Sequence, residues 1–210
     1  MPAILRLNPA QLNRAAIERA AAAIRGGEVA AIPTDTVYGL AADPFQPRAV
    51  ERIFRLKGRP EWKPILLLVE SRRQVEALVA RLPPAFERVA ARYWPGPLTI
   101  VLPAAPSLPW WITAGTDTVA VRLPGSALTR EIIRAARVPL TGTSANRSGR
   151  PPAQSAAQVR EAFPAGLALI VDGGPARTSA ASTLLDLTGE PRVLREGALP
   201  AAEVLSFCRP

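Results

Sequence analysis

Apolar runs of strand length recur along this chain, separated at first by amphipathic helical stretches and later by little more than turns. EVAAIP (28–33), ILLLVE (65–70), LTIVL (98–102), TVAVRLP (118–124) and VPLT (138–141) each lie between such stretches, whereas LALIVDGG (167–174), STLLDLT (182–188) and PRVLREG (191–197) follow one another closely. Runs of this length, rich in β-branched residues and bounded by Gly, Pro and Asp, predict strands. Between them, Asn8 before Pro9 predicts a capped helix start, AQLNRAAIERAAAAIR keeps an apolar stripe, and Gly26-Gly27 ends it. Pro47 opens RAVERIFRLK with Val50, Ile53 and Phe54 on one face, and Gly58 closes it. Ser71 caps RRQVEALVARL, a helix spans about 84–93, Ser126 opens another to about 136, Ser155 caps one more, and PAAEVLSF is short and terminal. Strands that alternate with helices early and cluster late predict an α/β fold, an open twisted mixed sheet with helices on its faces. With no repeat and no low-complexity linker, one domain over residues 1–210 is expected.

Composition removes whole classes of chemistry. Histidine is absent, which excludes a Ser-His-Asp triad and imidazole acid–base catalysis. Cys208 is the only cysteine, so no intramolecular disulfide forms, a reducing compartment is expected, and a His- or Cys-built zinc site is disfavoured. MPAILRLNPAQ at the start is unlike a signal peptide and no run approaches membrane-spanning length, which predicts a cytoplasmic protein without a membrane partner. Chemistry must rest on Lys, Arg, carboxylates, hydroxyls and backbone amides. The net charge of +9 suggests nucleotides or nucleic acid as partners, yet the abundance of Ala, Arg and Pro resembles coding bias, so position has to decide.

Three stretches could carry chemistry. In IPTDTVYGLAADP (32–44), Thr34, Asp35, Thr36 and Tyr38 offer hydroxyls and a carboxylate at a strand exit; taken alone, a turn whose Asp and Thr satisfy their own backbone amides accounts for them better. RLKGRPEWKP (55–64) sets Arg55, Lys57, Arg59 and Lys63 against Glu61, with Pro60 and Pro64 bracing the loop. Cations favour a helix C-terminus in any case, but a stiff row of them in front of a buried strand suits a triphosphate. In LTGTSANRSGRPPAQS (140–155), small residues, the hydroxyls of Thr141, Thr143, Ser144 and Ser148, and Arg147 and Arg150 make a phosphate-cradle composition without the P-loop or dinucleotide spacing; an ordinary surface loop has much the same composition. Trp110-Trp111 could close a lid but better suits packing, and the spacing of Asp172, Asp186 and Glu196 shows no metal site.

Taken in order, PTDTVYGL, KGRP, WPGPLTIVL, VAVRLP and SANRSGRPP resemble the YrdC-like L-threonylcarbamoyladenylate synthase family, from about residue 15 to 197. The resemblance includes that family's K-x-R…S-x-N signature at Lys57, Arg59, Ser144 and Asn146. It implies an open YrdC-type α/β fold with a large basic cavity, and the condensation of L-threonine, bicarbonate and ATP to L-threonylcarbamoyl-AMP and pyrophosphate for tRNA modification. Carried over by motif, Thr36, Arg122, Gly142 and Ser182 stand on the threonine side, and Arg59, Lys63, Thr118, Ser144 and Arg195 on the ATP side. Mg²⁺ is expected with ATP, zinc, haem and flavin are not, and a tRNA-modifying complex would be the partner. Lys63 and Leu68 replace the Asn and His of some relatives and Pro152 replaces a Ser, and the chain resembles the short form of the family. The alternative is a tRNA- or double-stranded-RNA-binding protein using the same basic concavity, against which stands the lack of aromatic residues interleaved with the cations. Carbamoyl adenylation in hydrogenase maturation belongs to much longer chains.

Overall fold

The computed structural model describes residues 1–9, 11–59, 63–176 and 178–209. Its strands are β1 (Ala3–Arg6), β2 (Ala30–Ile32), β3 (Gly39–Ala41), β4 (Leu67–Leu68), β5 (Leu98–Pro103), β6 (Thr118–Arg122), β7 (Leu140–Thr141), β8 (Thr143–Ser144), β9 (Leu169–Asp172), β10 (Thr183–Asp186) and β11 (Arg192–Arg195). Its helices are α1 (Arg14–Arg25), α2 (Pro47–Lys57), α3 (Arg72–Leu78), α4 (Pro84–Tyr93), α5 (Trp110–Thr113), α6 (Ala127–Ala136), α7 (Ala156–Ala162) and α8 (Ala201–Ser206). The expected mixed α/β architecture holds, with the strands shared between two open sheets ordered β1-β9-β2-β3-β8 and β11-β10-β5-β6-β4-β7. Each mixes parallel pairs, such as β1 with β9 and β10 with β5, and antiparallel ones, such as β2 with β3 and β5 with β6.

Period-two alternation decides what each face of a strand meets. In the five-stranded sheet, Ala30, Ile32, Leu169 and Val171 face a layer formed by Ile17, Ala20, Ala21 and Ile24 of α1 and Leu128, Ile132, Ile133 and Ala136 of α6. Ala31, Leu40 and Ile170 belong to the larger core instead, with Val50, Ile53 and Phe54 of α2 and Phe86 and Val89 of α4. The six-stranded sheet gives that same core Leu98, Ile100, Leu102, Val119, Val121 and Leu185. The alternate residues of those strands are therefore free to face something else.

Gly142 is where the chain steps between sheets. Leu140 and Thr141 pair with β4, while Thr143 and Ser144 pair with β3. A Cβ at Gly142 would come within 2.7 Å of the Leu68 side chain, so only glycine fits the crossing without moving that leucine. Thr141 fastens the step: its hydroxyl donates to the Leu40 carbonyl at 2.9 Å and accepts from the Ala42 amide at 2.9 Å.

Most predicted helix boundaries stand. Pro47 is at the start of α2, and Gly58, with φ +58°, takes the left-handed conformation that ends it. The Asn8–Pro9 start is a correction. Residues 3–6 are a strand paired with β9, the chain turns after it, and the side chain of Asn13 caps α1 by accepting from the Ala16 amide at 3.1 Å. Ser126 and Ser155 cap as expected, by accepting from the amides of Thr129 and Gln158, whereas Ser71 holds the N-cap position without a side-chain bond. No helix of the described residues is long and apolar enough to cross a membrane.

Candidate active site

A cavity of about 710 Å³ lies against the face of the six-stranded sheet that is turned from the core. Its volume falls in the range of roughly 300–1,000 Å³ typical of small-molecule sites. Thr99 and Val101 of β5, Thr118, Ala120 and Arg122 of β6, and Leu184 of β10 line it, and they are the strand residues left over by the alternation. Gly39 of β3, Ser144 of β8, Lys57 at the end of α2 and Arg195 of β11 complete the wall. Thr36, Arg59, Lys63, Gly142, Asn146 and Ser182 also line it, so every residue carried over by motif faces one space. Among the described residues that line it, five are basic, Lys57, Arg59, Lys63, Arg122 and Arg195, and none is acidic.

Lys57 is a buried cation held by three acceptors. Its ammonium donates to the Ser144 carbonyl, to the Asn146 carbonyl at 2.9 Å and to Asn146 Oδ1 at 3.3 Å. An ammonium has three N–H donors, so all are spent on the 144–146 segment. The main chain doubles the tie, since the Ser148 amide donates to the Lys57 carbonyl at 2.8 Å. Asn146 is saturated too: its Oδ1 also accepts from Ser144 Oγ at 2.6 Å, and its Nδ2 donates to the carbonyls of Arg147 and Arg150. This explains the residue types of the signature, because a lysine reaching from a helix end needs carbonyls and an amide oxygen to meet it. Burial, and then the charge of Arg59, push the Lys57 ammonium down to about 8.

Arg59, two residues further and past the end of α2, donates from Nη1 to Thr143 Oγ1 at 3.2 Å and from Nη2 to the Pro64 carbonyl, and its guanidinium lies 5.7 Å from the Phe54 ring centre. Arg195 donates to the Ser182 carbonyl at 2.9 Å, while Ser182 Oγ meets Thr99 Oγ1 at 2.7 Å. Burial lowers both guanidinium pKa values from their ordinary range. Lys63 is exposed at the margin. Pro60 of the expected brace, and Glu61, the acid of that stretch, lie outside the described residues.

Arg122 is 3% exposed and bound on every side. Nε donates to the Gly96 carbonyl at 3.0 Å, Nη1 donates to Thr36 Oγ1 at 2.8 Å, and Nη2 lies 2.7 Å from Asp35 Oδ1. The last contact is an ion pair whose alignment falls short of a directed hydrogen bond, and neither atom has another partner. Burial lowers the Arg122 pKa and the Asp35 charge counters it. The threonines beside it form a directed chain. Thr34 Oγ1 donates to the Val37 carbonyl at 2.7 Å, so in its 3.0 Å contact with Thr36 Oγ1 the proton comes from Thr36, which in turn accepts from Arg122.

Several expectations are corrected. Thr34 behaves as a turn residue, accepting the Thr36 amide at 3.1 Å, but Asp35 serves Arg122 rather than its own backbone. Arg55 pairs with Glu51 and faces solvent. Arg147 and Arg150 are exposed and outside the cavity lining, and Thr141 is buried between the sheets. Trp111 donates from Nε1 to the Pro44 carbonyl at 3.0 Å and stands edge-on to Trp110, away from the cavity. Asp172 Oδ1 accepts from the Gly174 amide, Asp186 is held by Thr188 and Arg192, and Glu196 accepts from the Ala201 amide. No three His, Cys, Asp or Glu side chains cluster among the described residues. Magnesium favours octahedral oxygen sites, commonly one or two carboxylates plus phosphate. A protein carboxylate cage for it does not fit this lining. Thr99 and Leu184 are lining residues that sequence reasoning missed, though a lone threonine in the alternating LTIVL was a usable signal.

Comparison with known proteins adds independent findings. A family profile named for Sua5, YciO and YrdC and described as "Telomere recombination" matches residues 22–197. The chain is 44% identical over 189 residues to the threonylcarbamoyl-AMP synthase of Pyrococcus abyssi, covering 90% of this chain and 56% of that one. With the threonylcarbamoyl-AMP synthase of Bacillus subtilis it shares 37% identity over 200 residues, covering 94% and 58%. The chain thus spans somewhat over half the length of these relatives. A crystal structure of P. abyssi Sua5 complexed with L-threonine superposes with a TM-score of 0.92 at 40% identity, covering 99% of this chain and 60% of that one.

Proposed function

The chain belongs to the Sua5/YciO/YrdC family, and we propose that its cavity condenses L-threonine, bicarbonate and ATP to L-threonylcarbamoyl-AMP and pyrophosphate. The observation that carries this reading is the convergence of five cations, with no acid among the described lining residues, on one space beside hydroxyl-bearing strands. Bicarbonate gives up hydroxide to become carbon dioxide, the threonine amine adds to that carbon, and the proton the amine sheds leaves with the hydroxide as water, giving a carbamate. A carbamate oxygen then bonds to the α-phosphorus as the bond to pyrophosphate breaks. Three anions must be brought together, and fixed cations remove their mutual repulsion.

In this reading Arg122 receives the threonine carboxylate, with Thr36, Gly142 and Ser182 around the amino acid. The proton of Thr36 is spent on Thr34, so its hydroxyl is left to accept, which suits the N–H of the amino acid and orients it. Arg59, Lys63 and Arg195 neutralise the phosphates as charge moves to the leaving pyrophosphate, with Thr118 and Ser144 beside the nucleotide, their hydroxyl protons given to Thr116 and Asn146. Lys57 and Asn146 hold the 144–150 segment in place, and Lys57 adds positive potential. Magnesium enters only as the nucleotide's counter-ion, on its own phosphate oxygens, and the product would pass to a tRNA-modifying partner. Positioning of this kind is worth about 7–11 kcal/mol and a single preorganised donor about 3–4 kcal/mol. Pyrophosphate release measured with each substrate omitted in turn tests the reading. Release that requires both threonine and bicarbonate supports it, and release indifferent to threonine rejects it.

A further inference from the structure

We propose that Asp35, without touching substrate, is the positioning residue that fixes the Arg122 guanidinium and thereby sets affinity for the amino acid. The proposal rests on the reading of Arg122 as the carboxylate receptor. A guanidinium has five N–H donors. Those engaged are Nε with Gly96, one on Nη1 with Thr36 and one on Nη2 facing Asp35, which leaves one N–H on each terminal nitrogen uncommitted. Gly96 and Thr36 are neutral acceptors that fix the plane of the group. Asp35 alone supplies an opposite charge, and its Oδ1 and Arg122 Nη2 have no partner but each other.

The Asp35 carboxylate is itself seated from behind. A Cβ at Gly125 would stand 2.9 Å from Asp35 Oδ2 and 3.1 Å from its Cγ, so the bare glycine is what lets the carboxylate reach Arg122. Asp35 is not among the cavity-lining residues, so its influence on a ligand passes through Arg122. Three sequence motifs, PTDTVYGL, WPGP and VRLPG, thus meet on one guanidinium, and losing the carboxylate would leave a buried charge uncompensated and its Nη2 end untethered.

Steady-state pyrophosphate release, with KM taken separately for threonine and ATP, tests this in Asp35→Asn and Gly125→Ala. In the wild type, threonine-independent release would sink the functional reading itself, before any variant is compared. Given a threonine-dependent wild type, Asp35→Asn is expected to raise the threonine KM tenfold or more, with the ATP KM within twofold and kcat within about threefold. Gly125→Ala keeps the charge but crowds it, and should raise the threonine KM about threefold by the same selective route. A general structural defect would move both KM values together. A threonine KM within twofold of wild type in folded Asp35→Asn overturns the proposal, as does a parallel rise in the ATP KM. Should circular dichroism show Asp35→Asn unfolded, Gly125→Ala decides alone, and an unchanged threonine KM there overturns it.

Discussion

Arg122 and Lys57 are both buried cations on the wall of one cavity, but they are held in opposite ways. Arg122 faces a carboxylate, so its charge is largely cancelled where it sits. Lys57 is surrounded by two carbonyls and an amide oxygen, with the positive Arg59 as its main charged neighbour, and its charge is left uncompensated. A neutralised cation holds geometry and is indifferent to pH, whereas an uncompensated one projects potential into the cavity and sits close to losing its proton. One arrangement suits recognition of a single carboxylate, the other the gathering of several anions.

Removing either cation should expose the difference. Arg122→Ala leaves the enclosed Asp35 Oδ1 without its one partner, and loss of one partner of a buried pair costs up to about 3–5 kcal/mol. We expect a clear fall in thermal midpoint, together with loss of threonine-dependent turnover. Lys57→Ala removes a charge that had no carboxylate partner, so the midpoint should move less. Turnover should nevertheless fall about 100-fold or more, as for a lost electrostatic donor. Equal loss of stability in the two variants would erase the distinction between them.

Acidity sharpens the comparison further. The Lys57 ammonium sits at about 8 against an ordinary 10.5, so kcat/KM should decline up to tenfold per unit as pH rises through about 8. Stability should move the other way. Between about 8 and 10.5 the unfolded chain binds the proton that the folded chain has released, so folding becomes more favourable with rising pH relative to Lys57→Met. Bound polyphosphate favours the charged amine, and the decline in kcat should lie at higher pH than that in kcat/KM. Smallest of all, Arg55→Ala removes an exposed helix pair with Glu51 and should change stability by less than about 0.5 kcal/mol, with turnover unchanged.

How far the sequence revealed this site can be traced residue by residue. The alternation in LTIVL and TVAVRLP identified β5 and β6, and its polar phase, Thr99, Thr118 and Arg122, is the cavity wall. Motif resemblance supplied the rest of the expected lining. What stayed hidden depended on distant partners. β1 is a strand because β9 lies beside it, and β8 has only two residues, defined by pairing with β3. Asp35 is the clearest case, since locally it reads as a turn residue and only the arrival of Arg122, far along the chain, gives it another task. Asn8–Pro9 misled for the same reason in reverse, a good local helix start displaced by strand pairing just before it.

The division of labour between the amino-acid side and the phosphate side of the cavity is tested most directly by calorimetric titration of L-threonine into wild type, Arg122→Lys and Arg59→Ala. Lysine cannot reproduce the guanidinium fork, so threonine affinity should fall at least tenfold in Arg122→Lys while staying within twofold of wild type in Arg59→Ala. Equal affinity in all three proteins, or a greater loss in Arg59→Ala, would contradict the account.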